Sequence, residues 1–249
     1  MPDRWGFLPR AASFVAFIAA WQIGSLAVGA RQLPPPLVVL DVLWRRILDG
    51  SIPYHVGVTL ARVAVSFTIA MLIGTAIGIA MGRSRRLDRF FDGWLILFLN
   101  VPAVVSTILC YVWFGLVETA AIAAVAVNKI PNVVVTLREG ARALSPDYIE
   151  MAQVYRLSRA KTLRHVILPE LYPFIVAAAR SGLALVWKIV LVVELLGRSN
   201  GVGFQIYSAF QNFEVAEILA YTIAFVAVIQ AIEFAILRPL ERRAGRWRR

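Results

Sequence analysis

The chain carries one cysteine and two histidines in 249 residues. A lone Cys110 excludes an internal disulfide, and in its apolar run it is expected to pack as a small hydrophobe. Charge is also scarce. Asp, Glu, Lys and Arg make up 16% of the residues, well under the roughly 25% of soluble domains. Within that small set acids are rarer than bases, 15 against 26, for a net charge of +11. No Gly-x-x-x-x-Gly-Lys-Ser/Thr phosphate loop occurs, so the sequence offers no recognisable ATP-hydrolysing site.

Hydrophobic residues fill 59% of the chain, in charge-poor runs near the roughly 20 residues that cross a bilayer. The expectation is an all-α membrane protein forming one transmembrane domain over 1–249. Its six spans fall at about 11–30, 57–82, 91–114, 119–137, 174–196 and 215–237. A cleaved signal peptide competes for the first span, since a basic head precedes it and Val28-Gly29-Ala30 follow. The arginines lie in blocks between apolar runs, which marks topology rather than nucleic-acid binding. Eighteen Lys/Arg fall in the head, the 83–89 turn, the 138–173 loop and the tail, against four on the opposite side. Both termini and that loop are therefore expected in the cytoplasm. His55 and His165 then sit on opposite faces of the membrane, which excludes a His-based catalytic or metal centre within one subunit.

Between spans, LPPPL introduces an interfacial helix over 37–48, whose Arg45 and Arg46 meet headgroups or form an anion-attracting rim. Within spans, Arg62 is expected to snorkel or pair, and Gly74 and Gly78 to admit a close helix. Pro102 kinks or breaks the third span. Asn128-Lys129-Ile130-Pro131-Asn132 suggests a bend beside an interior cavity. Lys188 and Glu194 make the fifth span rich in ionisable groups; Lys188 either meets an anion or pairs structurally with Glu194 or a carbonyl through another segment. Gly197–Gly203 is expected as a flexible outer loop.

The loop at 138–173 is the most informative stretch. Ser145-Pro146-Asp147 is a helix start, with Ser supplying a cap oxygen. Ser158 caps a second short helix that Pro169 ends, giving a two-faced helix pair suited to docking. Glu150-Met151-Ala152 leading to Ile167-Leu168-Pro169 resembles the EAA loop of ABC-importer permeases. More locally it resembles the sulfonate/taurine/nitrate group, as do Thr59-Leu60-x-Arg62-Val63, Trp113-Phe114-Gly115, and Glu194 with Gly201-Val202-Gly203. Two positions depart from that pattern: the family's loop glycine falls at Arg156, and a second proline of the third span falls at Ile108.

The resemblance implies a type I permease fold, without its own ATPase activity or cofactor. It implies two permease copies, two cytoplasmic ATPase subunits that bind ATP, and a periplasmic binding protein in the inner membrane of a bacterium. Asp147, Glu150, Ala152, Tyr155, Arg156, Arg159, Leu168 and Pro169 would form the ATPase-coupling surface. Pro102, Asn128, Lys129, Lys188 and Glu194 would border the translocation pathway. Positive groups at membrane depth suit a small anion such as a sulfonate, taurine or nitrate. The alternatives are a pyrimidine-type or other neutral or cationic nutrient, or an ATP-independent channel or secondary transporter.

Overall fold

The computed structural model describes residues 7–237 and 239, so Arg4 and the arginines of the basic tail lie outside the described residues. Within them the chain is helical, with no strand. In hydrocarbon each backbone N–H and C=O must find its partner inside the segment, and a helix does this with local sequence alone.

Helix α1 (Phe7–Val28) exposes Phe14, Phe17 and Leu26, and Trp21 Nε1 donates to the Pro34 carbonyl at 3.0 Å. The proline run then leads into α2 (Pro36–Leu48), where the interfacial helix was expected. Its arginines are paired rather than open. Arg45 pairs with Asp41, and Arg46 bonds Asp49 at 3.3 Å and Glu217, which lies 171 residues away. The Glu217 hydrogen bond holds the Arg46 guanidinium above its ordinary pKa.

Helix α3 (Ser51–Arg83) begins six residues before the expected span, because Pro53 falls in the first turn, where no intrahelical N–H bond is needed. Where the third span was expected, the helix is broken rather than kinked. Helices α4 (Arg85–Asn100) and α5 (Ala103–Phe114) meet at 97° across Val101-Pro102. Helix α6 (Glu118–Arg142) runs through Pro131 and is the centre of the bundle, more than half buried against a third or less for the other long helices.

Gly74, Gly78 and Gly82 of α3 lie flat on α6. An added Cβ would stand 2.6 Å from Val133 Cβ, 2.7 Å from Leu137 Cβ and 2.6 Å from Ala141 Cβ in turn. The two helices are therefore parallel and in backbone contact, as a small-residue stripe permits.

The loop after α6 holds α7 (Pro146–Val154) and α8 (Arg159–Thr162). Two expectations fail here. Ser145 makes no side-chain cap; its backbone N–H instead donates to Glu170 Oε1 at 2.9 Å. Pro169 does not end the second helix. A π-helical turn at Leu163–Ile167 widens the ladder, with Leu168 N–H bonding Leu163 O, and the chain passes through Pro169 and Pro173 into α9 (Leu168–Gly197). The helical run from Arg159 to Gly197 nevertheless continues over 39 residues, with Pro169 following the π turn and Pro173 inside α9. Helix α10 (Val202–Gln211) and α11 (Val215–Ile232), with a closing π turn at Glu233–Leu237, complete the chain.

Among the described residues four helical runs are long and apolar enough to cross a membrane, or five if α4–α5 is one broken span; the apolar part of α1, Ala12–Val28, is shorter. Two cores flank the middle of α6. One gathers Val63, Tyr111, Ala124, Val190 and Tyr221 near the start of α6, the other Val133, Leu137, Ala141, Leu171 and Ala178 towards its end.

Replacing Gly78 by Val should destabilise the detergent-solubilised protein by about 1–3 kcal/mol, the cost of overpacking a close contact. Gly93→Ala, where nothing lies within 4 Å of the added methyl, should leave thermal unfolding unchanged or slightly raised.

Candidate functional site

Two polar sites stand at opposite ends of the bundle. At the end where α6 begins, Arg62 is 3% exposed and Glu194 is fully buried. Arg62 Nη1 donates to Glu194 Oε1 at 2.8 Å and to the Asn200 carbonyl at 2.8 Å. Its Nε and Nη2 grip the two Glu118 oxygens at 2.6 and 2.9 Å, and Nη2 also bonds Asn200 Oδ1. All five guanidinium N–H groups therefore have acceptors, which is what a buried arginine requires.

Glu194 accepts in addition from Thr59 Oγ1 at 2.9 Å and from Gly203 N–H at 2.9 Å. Thr59 Oγ1 in turn accepts from Val202 N–H, and His55 Nδ1 from Gly201 N–H at 3.0 Å. Arg198 closes the ring, bonding Glu118 Oε2 at 2.8 Å and the Leu116 carbonyl at 2.7 Å.

The expected flexible loop at Gly197–Gly203 is thus a pinned one. Gly201 has φ 105°, and a side chain there would overlap the Glu194 carboxylate; at Gly203 it would stand 2.8 Å from Glu194 Cβ. Glycine serves close approach here, not mobility. Glu194 pairs with Arg62 and not with Lys188, which is exposed on another face of α9.

At the other end, α7 and α8 project from the bundle. Ala152 (2% exposed) and half-buried Ile149 turn inward, and Ile149 packs on the Leu137–Leu171 core. Tyr148, Met151, Val154 and Tyr155 are exposed, Val154 and Tyr155 by 78% and 74%. Their three- and four-residue spacing makes an uncovered apolar face on α7.

Charge divides in the same way. Arg138 is held by Asp92 at 2.6 Å and Asp88 at 3.4 Å, and Arg142 by Glu139 at 2.9 Å and by Asp88. Among the described residues no carboxylate pairs with Arg156, Arg159, Lys161 or Arg164. Asp147, Glu150, Leu168 and Pro169 are exposed as well, and Glu150 lines a cavity of about 790 Å³ with Arg83, Arg85, Asp88 and Gln153.

Arg156 has φ 48°, so the glycine-like conformation is kept without glycine. Leu157 N–H to Ala152 O and Arg156 N–H to Gln153 O, both 2.9 Å, form the paired bonds of a Schellman ending.

Of the residues expected along a pathway, Pro102 sits at the α4–α5 break, and Asn128 is half-buried and accepts from Ser106 at 3.0 Å. Lys129 is 1% exposed and, among the described residues, has no hydrogen-bond partner. Glu194 belongs to the Arg62 network. Sequence reasoning missed Thr59, Arg198 and Asn200 as members of that network, and Tyr148, Met151 and Val154 as surface. The one available signal was that Arg62 and Glu194 are opposite charges, each isolated in an apolar run.

The described residues thus form a helical bundle around an enclosed central helix, with a helix pair projecting from one end. The chain belongs to the family of binding-protein-dependent transport system inner membrane components, whose model matches residues 70–243. It is 31% identical to the putative aliphatic sulfonates transport permease protein SsuC of Bacillus subtilis (strain 168), over 98% of this chain and 89% of that one. It is 30% identical to the taurine transport system permease protein TauC of Escherichia coli (strain K12), over 91% and 84%. It is 31% identical to the bicarbonate transport system permease protein CmpB of Synechococcus elongatus, over 90% and 84%. Its fold matches an inward-facing structure of the MetNI methionine ABC transporter with TM-score 0.66 at 20% identity, over 75% of this chain and 94% of that one. The protein is a permease subunit of an ABC importer.

Two outcomes test the local geometry. Arg62→Met should cost about 3–5 kcal/mol in unfolding, since it strands a buried carboxylate; adding Glu194→Gln to it should recover part of the loss. Arg156→Gly should relieve on the order of 1 kcal/mol of left-handed strain. Amide exchange at Leu157 should then slow by about fivefold.

Proposed function

We propose that the chain imports a small anion, working as a pair of copies with two ATPase subunits that bind and hydrolyse ATP and a periplasmic binding protein that delivers the solute. The chain itself needs no cofactor. In this arrangement α1 supplies the first of six spans and both termini lie in the cytoplasm. Residues 138–173 form a cytoplasmic coupling loop within the single domain, and α7 seats in a cleft of the ATPase.

The observation that carries the docking is the uncovered side of α7, with apolar Tyr148, Met151, Val154 and Tyr155 beside unpaired Arg156 and Arg159 and exposed Asp147 and Glu150. Such a face, apolar at its centre and charged at its rim, suits a protein partner. Ala152, Leu168 and Pro169 act from behind it, tying α7 and α8 to the rod that continues into α9. Closure of the ATPase pair on ATP would draw the two loops together and rock α9, shifting the permease between inward- and outward-open states.

The anion reading rests on membrane-depth Lys129 and Lys188 and on relatives named for sulfonates, taurine and bicarbonate. Pro102, Asn128, Lys129 and Lys188 border the route in this reading, with Glu194 holding the helices around it.

Glu150→Lys should leave the permease in the membrane while abolishing ATP-driven uptake and lowering recovery of the ATPase subunit on co-purification. Normal uptake with full recovery would overturn the docking.

A further inference from the structure

Helix α6 carries a polar line at membrane depth. Asn128, Asn132 and Thr136 recur every fourth residue, which keeps them within about 80° of one another around the axis, and all three are half-buried. Each bonds back along its own helix: Asn128 to Ala124 O at 2.7 Å, Asn132 to Asn128 O at 3.4 Å and Thr136 to Asn132 O at 3.1 Å.

Lys129 lies about 20° from Thr136 and about 60° from Asn132 on the same projection. Unlike them it is sealed, and its ammonium has no partner. What seals it is α9. The end of the Lys129 side chain rests on Gly182, where any Cβ would overlap Cε and Nζ.

A sealed ammonium with no protein acceptor at membrane depth is among the costlier arrangements a protein can keep. The stem alone does not account for it, since a methionine would fill the same space. Lys129 is therefore a residue whose partner is absent from this conformation. Moving α9, with its Gly182, off Lys129 would uncover the ammonium beside the Asn128–Asn132–Thr136 line. Helix α9 is also the continuation of α8, the element that emerges from the projecting loop.

We propose that Lys129 is a concealed anion-binding residue, covered by α9 at Gly182 and presented to the translocation route only when α9 shifts. The ligand it suits is a small anion bearing a sulfonate, carboxylate or nitrate-like oxygen set, met by one ammonium and by the Asn128 and Asn132 amide donors. This rests on the importer reading, and it adds a position and a timing to it.

The test uses the full transporter, permease with its ATPase and binding protein, in proteoliposomes. Wild-type ATP-driven uptake of taurine, an alkanesulfonate or bicarbonate tests the importer reading by itself. Lys129→Met should then lower uptake at least tenfold while ATP hydrolysis stimulated by the binding protein stays within twofold.

In a Cys110→Ser background, Lys129→Cys should react slowly with aminoethyl methanethiosulfonate at rest and at least tenfold faster in a nucleotide-trapped state. In that reaction the thiolate displaces methanesulfinate and keeps the aminoethylthio group as a mixed disulfide. The attached ammonium should restore uptake, and the neutral methylthio group from methyl methanethiosulfonate should not. With wild-type uptake intact, three results each overturn the assignment: normal uptake by Lys129→Met, equal rescue by both reagents, or labelling at the same rate in every state.

Discussion

One guanidinium holds the far end of this bundle together. Arg62 spends its five donors on the side chains of Glu118 and Glu194 and on the carbonyl and side chain of Asn200. These acceptors come from the start of α6, the end of α9 and the loop beyond it. At the buried Glu194 arm a missing acceptor is not replaced by water, so geometry is enforced there most strictly. A lysine, with three donors on a single point, could not span the same acceptors. The tight Gly201-Val202-Gly203 turn follows from this demand, because the backbone must come close enough to bond Glu194 and Thr59.

The opposite end shows the contrary economy of contacts. Arg138 and Arg142 are consumed internally by Asp88, Asp92 and Glu139, which fixes where the projecting segment leaves the bundle. Beyond that anchor, among the described residues, the arginines pair with no carboxylate and the apolar face of α7 is uncovered. A polar hub closed at one end and a loop left unsatisfied at the other are joined through α9. Among the described residues the molecule is thus tightly bonded at one end and leaves polar and apolar groups exposed at the other.

Much of this was legible in the residues, for physical reasons. Apolar run length marks helices in hydrocarbon, so α3, α6, α9 and α11 lie near their expected places, and glycines four apart announced a close helix contact on α3 without naming α6 as the partner. Failures came where a local signal had two outcomes. A proline after a short helix reads as a stop, yet Pro169 sits in the first turn of another helix, and the π turn before it reconciles the two. A glycine-rich stretch reads as mobile, yet Gly201 and Gly203 serve close packing. Ser145 reads as a cap, yet its N–H meets Glu170, 25 residues on. Long-range partners such as Asn200 for Arg62 have no periodicity to betray them.

The unbroken run from Arg159 to Gly197 imposes a phase on the chain. Each residue inserted into a helix turns everything beyond it by about 100° and advances it by about 1.5 Å. One residue added between Leu168 and Glu194 would swing the carboxylate away from Arg62 while leaving the projecting loop untouched. The number of residues separating the two ends is therefore constrained as tightly as their identity. Only the π turn at Leu163–Ile167 offers slack, since a wide turn of this kind is how a helix accommodates one extra residue without losing its axis. Length variation in this chain has a designated place, and it lies on the loop side of the rod.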